Sequence, residues 1–341
     1  MNKKTLLLLG AIAIVVVVFL LLNRDNTHTL NTNDSNFGYS KTDDIDKIFI
    51  TNIANKEHVT LTKNSSKEWR VNDKFDASMP QLEMLLETLR KMKVKSPVGE
   101  NMVDKVVKRM VINGTKVELY EKGELSKVFY VGDNTPDEMG TYFYMDKAEE
   151  PYVCYIPGFN GYLNNRFFTN LKAWRSKAVF RKTEEEIAEI KLEWPETPGA
   201  SFVINNTGAL PILSGNGKQY QNNTEANLNS IKSYLKCWEN LCYEGFPIDL
   251  DAHKIDSIAR TQPIMIMSLK DKQGKTTVLT IHRKGIKRDT YQQTDENGQP
   301  MEFEMENYYA FIDDNKTEIV QIQDFVFGKV IKKVNDFLLV K

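Results

Sequence analysis

The same order of elements occurs twice in this 341-residue chain, on either side of an aromatic-rich stretch at 151–180. Each copy begins with short segments in which apolar and polar residues alternate, as they do in half-buried strands. An amphipathic helix follows, and then several further strands. The segment 186–192 matches 44–50, and the later elements keep the same order. Although few residues are identical, this repetition predicts an internal duplication.

Each copy contains one helix whose apolar residues recur at helical spacing. These residues are Leu82, Leu85, Leu86, Leu89 and Met92 in the first copy, and Leu228, Ile231, Leu235 and Trp238 in the second. Ser78, with Gln81 three residues later, predicts a capping box at the start of the first helix. Thr224 is the predicted cap of the second helix. Shorter helices are predicted over 104–109 and 251–260.

Runs of strands with a few helices, and no regular strand–helix–strand alternation, predict an α+β body of antiparallel sheets with amphipathic helices. The predicted domains are repeat one at 42–156, an aromatic-rich joint at 157–180 and repeat two at 181–341. A hydrophobic content of 41% and a charged content of 27% are typical of a folded globular protein. We therefore expect two folded copies connected by a packed joint.

Residues 1–22 predict a membrane anchor. Lys3 and Lys4 precede an uncharged apolar run at 5–22, which as a helix spans about 27 Å, close to the hydrocarbon thickness of a bilayer. The lysines keep the N-terminus cytoplasmic, so the body is expected on the periplasmic side of an inner membrane. A cleaved signal peptide is the alternative, although no small-x-small cleavage site follows the run. The polar segment 23–41 is expected to be a flexible tether.

Composition argues against several functional classes. With 45 basic and 46 acidic residues, the chain has no net field to attract nucleic acid. The four histidines are far apart and lack metal-ligand spacing, so we expect no metal and no other cofactor. No nucleophile motif or phosphate loop is complete, and we therefore expect no enzymatic activity. Cys237 and Cys242 are expected as free thiols, with a disulfide as the alternative if their helix ends at Glu239.

Two groups of residues are candidates for binding. The candidate contacts with a protein partner are Tyr162, Arg166, Trp174 and Arg175 of the joint. Long aromatic and guanidinium side chains suit an anionic or protein surface. The alternative is that they fasten the two copies together, with Trp174 filling the seam and Arg175 paired with a carboxylate. The candidate contacts with an anionic ligand are Arg283, Lys284, Lys287 and Arg288. A solvated hairpin tip is the alternative interpretation of that basic run.

The phrases 157-PGFNGYL-163 and 174-WRSK-177, together with the anchor and the order of elements in the first copy, carry a resemblance to a known family. The chain resembles the Gram-negative branch of domain-of-unknown-function family 4340, over nearly the whole body after Lys41. That family usually has an acidic residue within the second phrase, where this chain has Ser176. The family has no established activity. Its members resemble membrane-anchored envelope proteins, some of them encoded beside ABC-type transporter components linked to gliding motility.

These observations lead to three hypotheses of function. The first is a single-pass, periplasm-facing, non-catalytic interaction module, whose protein partner the resemblance suggests to be an ABC-type transporter or a gliding-related envelope complex. The second is a binding domain for an envelope polymer or an anionic lipid. The third is an envelope enzyme whose signature the sequence does not reveal.

Overall fold

The computed structural model of this protein describes residues 34–286, residue 294 and residues 298–339. The predicted anchor at 1–22 and the tether residues 23–33 lie outside these ranges. Within them, no helix combines the length and the apolar character that a membrane span requires. The chain divides between Ser176 and Lys177 into two compact units.

In the described part of the first unit, nine antiparallel strands form one sheet in the order β4-β3-β2-β1-β6-β7-β8-β9-β5. The strands are β1 (Ile45–Asn52), β2 (His58–Lys63), β3 (Trp69–Val71), β4 (Phe75–Asp76), β5 (Lys93–Pro97), β6 (Thr115–Glu121), β7 (Glu124–Asn134), β8 (Thr141–Met145) and β9 (Tyr152–Tyr155). In the inner strands, fully buried residues alternate with partly exposed ones, because successive side chains point to opposite faces.

Two helices cover opposite faces of this sheet. They are α1 (Met79–Lys91) and α2 (Glu100–Asn113), and a short helix α3 (Leu171–Trp174) follows the last strand. Leu85 of α1 belongs to the same core as Phe129 of β7. Met110 of α2 belongs instead to a smaller core that contains the next residue of that strand, Tyr130. Since neighbouring strand residues face opposite ways, the two helices must lie on opposite faces.

The predicted apolar stripe of α1 is confirmed, but its predicted capping box is wrong. Leu82, Leu85 and Leu89 are fully buried. Ser78 stands at the N-cap, yet its side chain makes no capping hydrogen bond. The start of the helix is held instead by the Ser78 backbone N–H, which donates to the carbonyl oxygen of Trp174 at 2.7 Å. The second predicted helix, 104–109, is also longer than expected, since α2 extends in both directions.

In the described part of the second unit, eight antiparallel strands form a sheet in the order β14-β13-β12-β11-β16-β17-β18-β19. They are β11 (Ile187–Glu193), β12 (Phe202–Asn205), β13 (Ile212–Gly215), β14 (Lys218–Gln219), β16 (Met265–Asp271), β17 (Thr276–Gly285), β18 (Phe303–Ile312) and β19 (Ile319–Gln323). Two further strands, β10 (Ala178–Phe180) and β15 (Leu241–Cys242), pair with each other.

The helices of the second unit are α4 (Leu228–Lys236), α5 (Ala252–Ala259) and a short α6 (Asp324–Phe327). Thr224 was expected to cap α4, and this prediction is wrong by three residues. Asn227 is the cap, because its side-chain oxygen accepts from the backbone N–H groups of Asn229 and Ser230. The predicted helix at 251–260 is confirmed as α5, capped by the Asp251 side chain.

The two units share one order of elements. In chain order, each contains four strands, a helix, a short strand, a second helix and four more strands, but the short strand β5 joins the edge of the first sheet, whereas β15 pairs with β10 outside the second. The register agrees as well: Ile50 faces Val117 in the first sheet, and Leu192, the residue matched to Ile50, faces Met267 in the second. Both sheets are antiparallel and carry a few helices, so the α+β class expected from the sequence is confirmed.

The expected tether does not extend to Lys41. Residues 34–41 pack on the first unit, and Phe37 is one of its most buried side chains, with 1% of its surface exposed. The segment is mostly polar, so its composition gave no sign that one residue, Phe37, is buried in the core. The expected joint, 157–180, is not a separate segment. Its residues up to Ser176 belong to the first unit, and the remainder, which includes β10, belongs to the second.

Candidate functional site

A glycine-built loop follows β9 and presents aromatic side chains at the surface of the first unit. Gly158 and Gly161 have φ angles of +80° and +148°, a region that residues with a Cβ rarely adopt. A Cβ on Gly161 would also lie 3.1 Å from the Phe159 ring. The loop therefore needs glycine at these positions, and it leaves Phe159 38% exposed. We call residues 157–162 the PGF loop.

Arg166 lies just after the PGF loop and is held in one orientation. Its guanidinium Nη1 donates to the Thr88 hydroxyl oxygen at 2.9 Å. The same guanidinium lies over the Phe159 ring, 4.5 Å from its centroid. Thr88 is fully buried in α1, where its hydroxyl donates to the carbonyl oxygen of Met84 at 2.6 Å. Two neighbours, Thr88 and Phe159, thus restrict the orientation of the Arg166 side chain.

The charges around Arg166 leave a local excess of positive groups. Lys91 pairs with Glu87 at 2.5 Å, and this hydrogen bond is the main reason why the pKa of Glu87 lies below its usual range. Arg90 donates to the Thr42 hydroxyl rather than to a carboxylate. Among the described residues, Arg166 has no carboxylate within 4.0 Å of its guanidinium nitrogens. Its charge nevertheless acts on Glu87, because it contributes to lowering the pKa of that carboxyl.

A pocket of about 270 Å³ opens beside this guanidinium. Its lining residues are Glu87, Lys91, Ile156, Pro157, Gly158, Phe159 and Arg166. Pockets for cofactors and drug-sized ligands usually measure about 300–1,000 Å³, so this one suits a side chain better than a cofactor. The wall formed by the PGF loop is apolar, and the rest of the lining carries the Arg166 guanidinium and the Lys91–Glu87 ion pair.

The structure separates the four sequence candidates of the joint. Tyr162 is half-buried in the PGF loop, close in sequence to Arg166. Trp174 is completely buried in the core; its indole N–H donates to the Phe168 carbonyl oxygen at 2.8 Å, and its ring stacks on Phe168 at 4.5 Å. Arg175 lies over the ring of Phe75, 3.9 Å from its centroid. Trp174 and Arg175 therefore help to fasten the polypeptide, whereas Arg166 and Tyr162 lie at the surface.

The basic run of the second unit is engaged by acidic residues. Arg283 makes a two-pronged pair with Glu196, at 2.6 and 2.7 Å. Lys284 pairs with Glu304 at 3.0 Å. The other two candidates, Lys287 and Arg288, lie outside the described residues. The two described cations are therefore matched by carboxylates of the same chain.

The described residues contain no group of three or more His, Cys, Asp and Glu side chains placed to hold a metal ion. Cys237 and Cys242 are free thiols, each half-buried. Sequence reasoning named Arg166 but missed Thr88 and gave Phe159 no role in binding. Thr88 is far from Arg166 in the chain, and only the folded sheet brings α1 against the segment after β9. A threonine in the middle of an otherwise apolar helical stripe was the one available signal.

The site lies in a region of the chain that is shared with a known protein family. The family model named Domain of unknown function (DUF4340) matches residues 69–263, which is more than half of the chain. The chain belongs to this family. No curated protein matches the DUF4340 chain, and no solved structure matches it. The matched region contains Thr88, the PGF loop and Arg166, while the basic run that begins at Arg283 lies beyond it.

Proposed function

We propose that this DUF4340 protein is a non-catalytic interaction module, held in the envelope by a single N-terminal span with its body on the periplasmic side. The anchor rests on the apolar run at 5–22 and on the two lysines that precede it. The family resemblance suggests an accessory role beside an ABC-type transporter or a gliding-related complex.

One observation carries the proposal of a protein contact. Arg166 is a preoriented, half-buried cation that is not directly paired with a carboxylate among the described residues, although Glu87 lines the same pocket, and it stands beside an exposed aromatic ring. Arginine and aromatic residues dominate the energetic centres of protein interfaces. A side chain that is already ordered in the free protein also loses less conformational entropy when a partner binds.

The pocket chemistry indicates what kind of partner surface would fit. The Nη1 group of Arg166 donates to Thr88. Its other N–H groups could donate to a carboxylate of the partner. An apolar residue next to that carboxylate could pack on Phe159 and Pro157. We therefore propose an acidic residue flanked by an apolar one on the partner protein.

The second part of the proposal is that the two units arose by internal duplication. The shared order of elements and the shared register of the two sheets support it. The PGF loop follows the last strand of the first unit, β9, whereas α6 follows the matching strand, β19, in the second. The proposed contact would then be a specialisation of one copy.

The test is capture of partners from native membranes with tagged full-length protein. Arg166→Ala and Phe159→Ala are compared with the wild type, and Arg109→Ala serves as the matched control because Arg109 is an exposed arginine of the same unit that pairs with Asp133. We expect an envelope protein that the wild type and Arg109→Ala recover and the other two variants lose. Equal recovery by all four would exclude the PGF loop and Arg166 as the contact.

Binding of an envelope polymer or an anionic lipid by the basic run is the weaker alternative. Arg283 and Lys284 would have to give up Glu196 and Glu304 before they could bind an anion. An enzymatic role gains no support from the described site, which pairs one cation with apolar walls and offers no nucleophile beside a general base.

A further inference from the structure

Residues 34–41, which precede β1 in the chain, pack on the first unit. Phe37 is enclosed by three aromatic rings: its centroid lies 5.6 Å from Phe143, 6.0 Å from Tyr152 and 6.3 Å from Phe129, each in an edge-to-face arrangement. Two residues later, the backbone N–H of Tyr39 donates to the carbonyl oxygen of Leu89 at 2.7 Å. We call residues 34–41 the strap.

A half-buried lysine of the sheet forms hydrogen bonds with the strap. Lys127 of β7 donates from its ammonium group to the carbonyl oxygens of Asn36 at 2.5 Å and Gly38 at 2.8 Å. Its ammonium nitrogen is also 5.3 Å from the centre of the Tyr39 ring. The Tyr39 hydroxyl donates to the carboxylate of Glu121 and lies 3.0 Å from the Ser126 hydroxyl.

The second unit holds its corresponding segment in a different way. Phe180 is as buried as Phe37 and packs edge-to-face on Trp238 at 4.8 Å. The N–H of Lys182 donates to the carbonyl oxygen of Trp238, as that of Tyr39 does to Leu89. In the second unit, however, this segment forms β10 and pairs with β15, whereas the strap forms no strand. Apart from the burial of Phe37 and the backbone hydrogen bond from Tyr39 to Leu89, the strap is therefore held by side-chain hydrogen bonds where its counterpart has a short backbone ladder.

We propose that the strap is a latch: it detaches as a unit from the first sheet while the rest of that unit stays folded, and Lys127 holds it closed. Its effect on reach rests on the proposed membrane anchor. If the apolar run at 5–22 is the anchor, release of the eight strap residues adds at most about 27 Å of extended chain to the link between the membrane and the body.

The test measures cleavage of the strap in purified full-length protein in detergent, with no partner present. A chymotrypsin-like protease cuts after Phe37 and Tyr39 only when the strap is detached. We compare the wild type with Lys127→Met and with a control, Lys108→Met, in which the replaced lysine lies on the exposed side of α2. We expect cleavage at these two bonds to be at least ten-fold faster in Lys127→Met, and unchanged in the control.

Hydrogen exchange on the same samples distinguishes a latch from general unfolding. If the proposal holds, Lys127→Met raises exchange in residues 35–41 and leaves β6 and β7 protected. Tyr39→Phe, a milder change, should raise exchange in the same residues to a smaller degree. Equal cleavage in wild type and Lys127→Met would overturn the proposal, and so would simultaneous exchange of the strap with β6 and β7. Neither result depends on the partner contact at Arg166.

Discussion

A guanidinium that is stacked on a ring and bonded to a buried hydroxyl has already lost much of its rotamer freedom. For Arg166, the ring is Phe159 and the hydroxyl is that of Thr88. A partner that binds this side chain has less ordering entropy to overcome than one that binds a mobile surface lysine. Arg166→Lys would keep the charge but lose both the planar stacking and the forked donor geometry.

Thr88 provides the sharpest test of this positioning. Thr88→Val keeps the shape of the side chain and removes the oxygen that accepts from Arg166. We expect partner binding to weaken about three- to ten-fold, since a hydrogen bond to a charged group contributes on the order of 1.5–3 kcal/mol and part of the cost is recovered by solvation. A binding isotherm with the captured partner measures it. Thr42→Val, which removes the hydroxyl bonded to Arg90, is the control and should leave the affinity unchanged.

Tryptophan is common in the hot spots of protein interfaces, but Trp174 is a core residue. It is completely buried, so Trp174→Ala should lower the free energy of unfolding by about 3–5 kcal/mol. Denaturant titration checks this, and Arg166→Ala should change stability far less. If Trp174→Ala left the stability of the protein unaltered, the core position of the ring would be wrong.

Lys127 should give the strap a pH dependence of known sign. Burial lowers the pKa of Lys127 to about 8, whereas an unfolded lysine titrates near 10.4. Between these values the unfolded state binds more protons, so this group makes stability rise with pH. Burial and the hydrogen bond to Glu121 raise the pKa of Tyr39 above its usual value.

The measurement is thermal unfolding at pH 8 and pH 9.5 for wild type and Lys127→Met. We expect the wild type to gain stability relative to the variant as the pH rises, because deprotonation removes the desolvation cost of the half-buried ammonium while the neutral amine still donates to the carbonyl oxygens of Asn36 and Gly38. A difference between the two proteins that stays constant across this range would show that Lys127 has an ordinary pKa.

At the scale of elements, the sequence predicted what depends on periodicity and failed where tertiary contacts decide. The stripes of α1 and α4 could be read because buried residues must recur at helical spacing. The caps could not: Ser78 and Thr224 have suitable side chains, but the α1 start is tied to Trp174 and Asn227 is better placed for α4. The strap escaped notice because one phenylalanine among polar residues carries no periodic signal.

The cap of α4 can be tested directly. Asn227→Ala removes the side chain that accepts two backbone N–H groups, and it should destabilise the protein by about 1 kcal/mol. Thr224→Ala should cost much less, because the structure places Thr224 in a turn before the helix. Denaturant midpoints of the two variants decide between the caps, and a larger loss for Thr224→Ala would favour the cap predicted from sequence.

At the scale of the whole molecule, the two units resemble each other in their sheets but differ in the segments attached to them. The second sheet repeats the order of the first except for the edge strand β5, so strand order distinguishes the two units only at that edge. The PGF loop, Arg166 and the strap all belong to the first unit. Within the candidate site, sequence supplied Arg166 and Tyr162 by residue type alone. The partnership of Arg166 with Thr88 required the fold, because no local pattern links positions so far apart in the chain.

The central claim is that the first unit meets a protein partner at the PGF loop. The most direct test replaces Tyr162 with a photoreactive amino acid in the full-length chain and irradiates native membranes, with the same probe at the exposed Leu210 of the second unit as a control. We predict a cross-link to a specific envelope protein from position 162, absent from position 210 and lost when Arg166→Ala is added. If position 162 gave no more cross-linking than position 210, the claim would be contradicted.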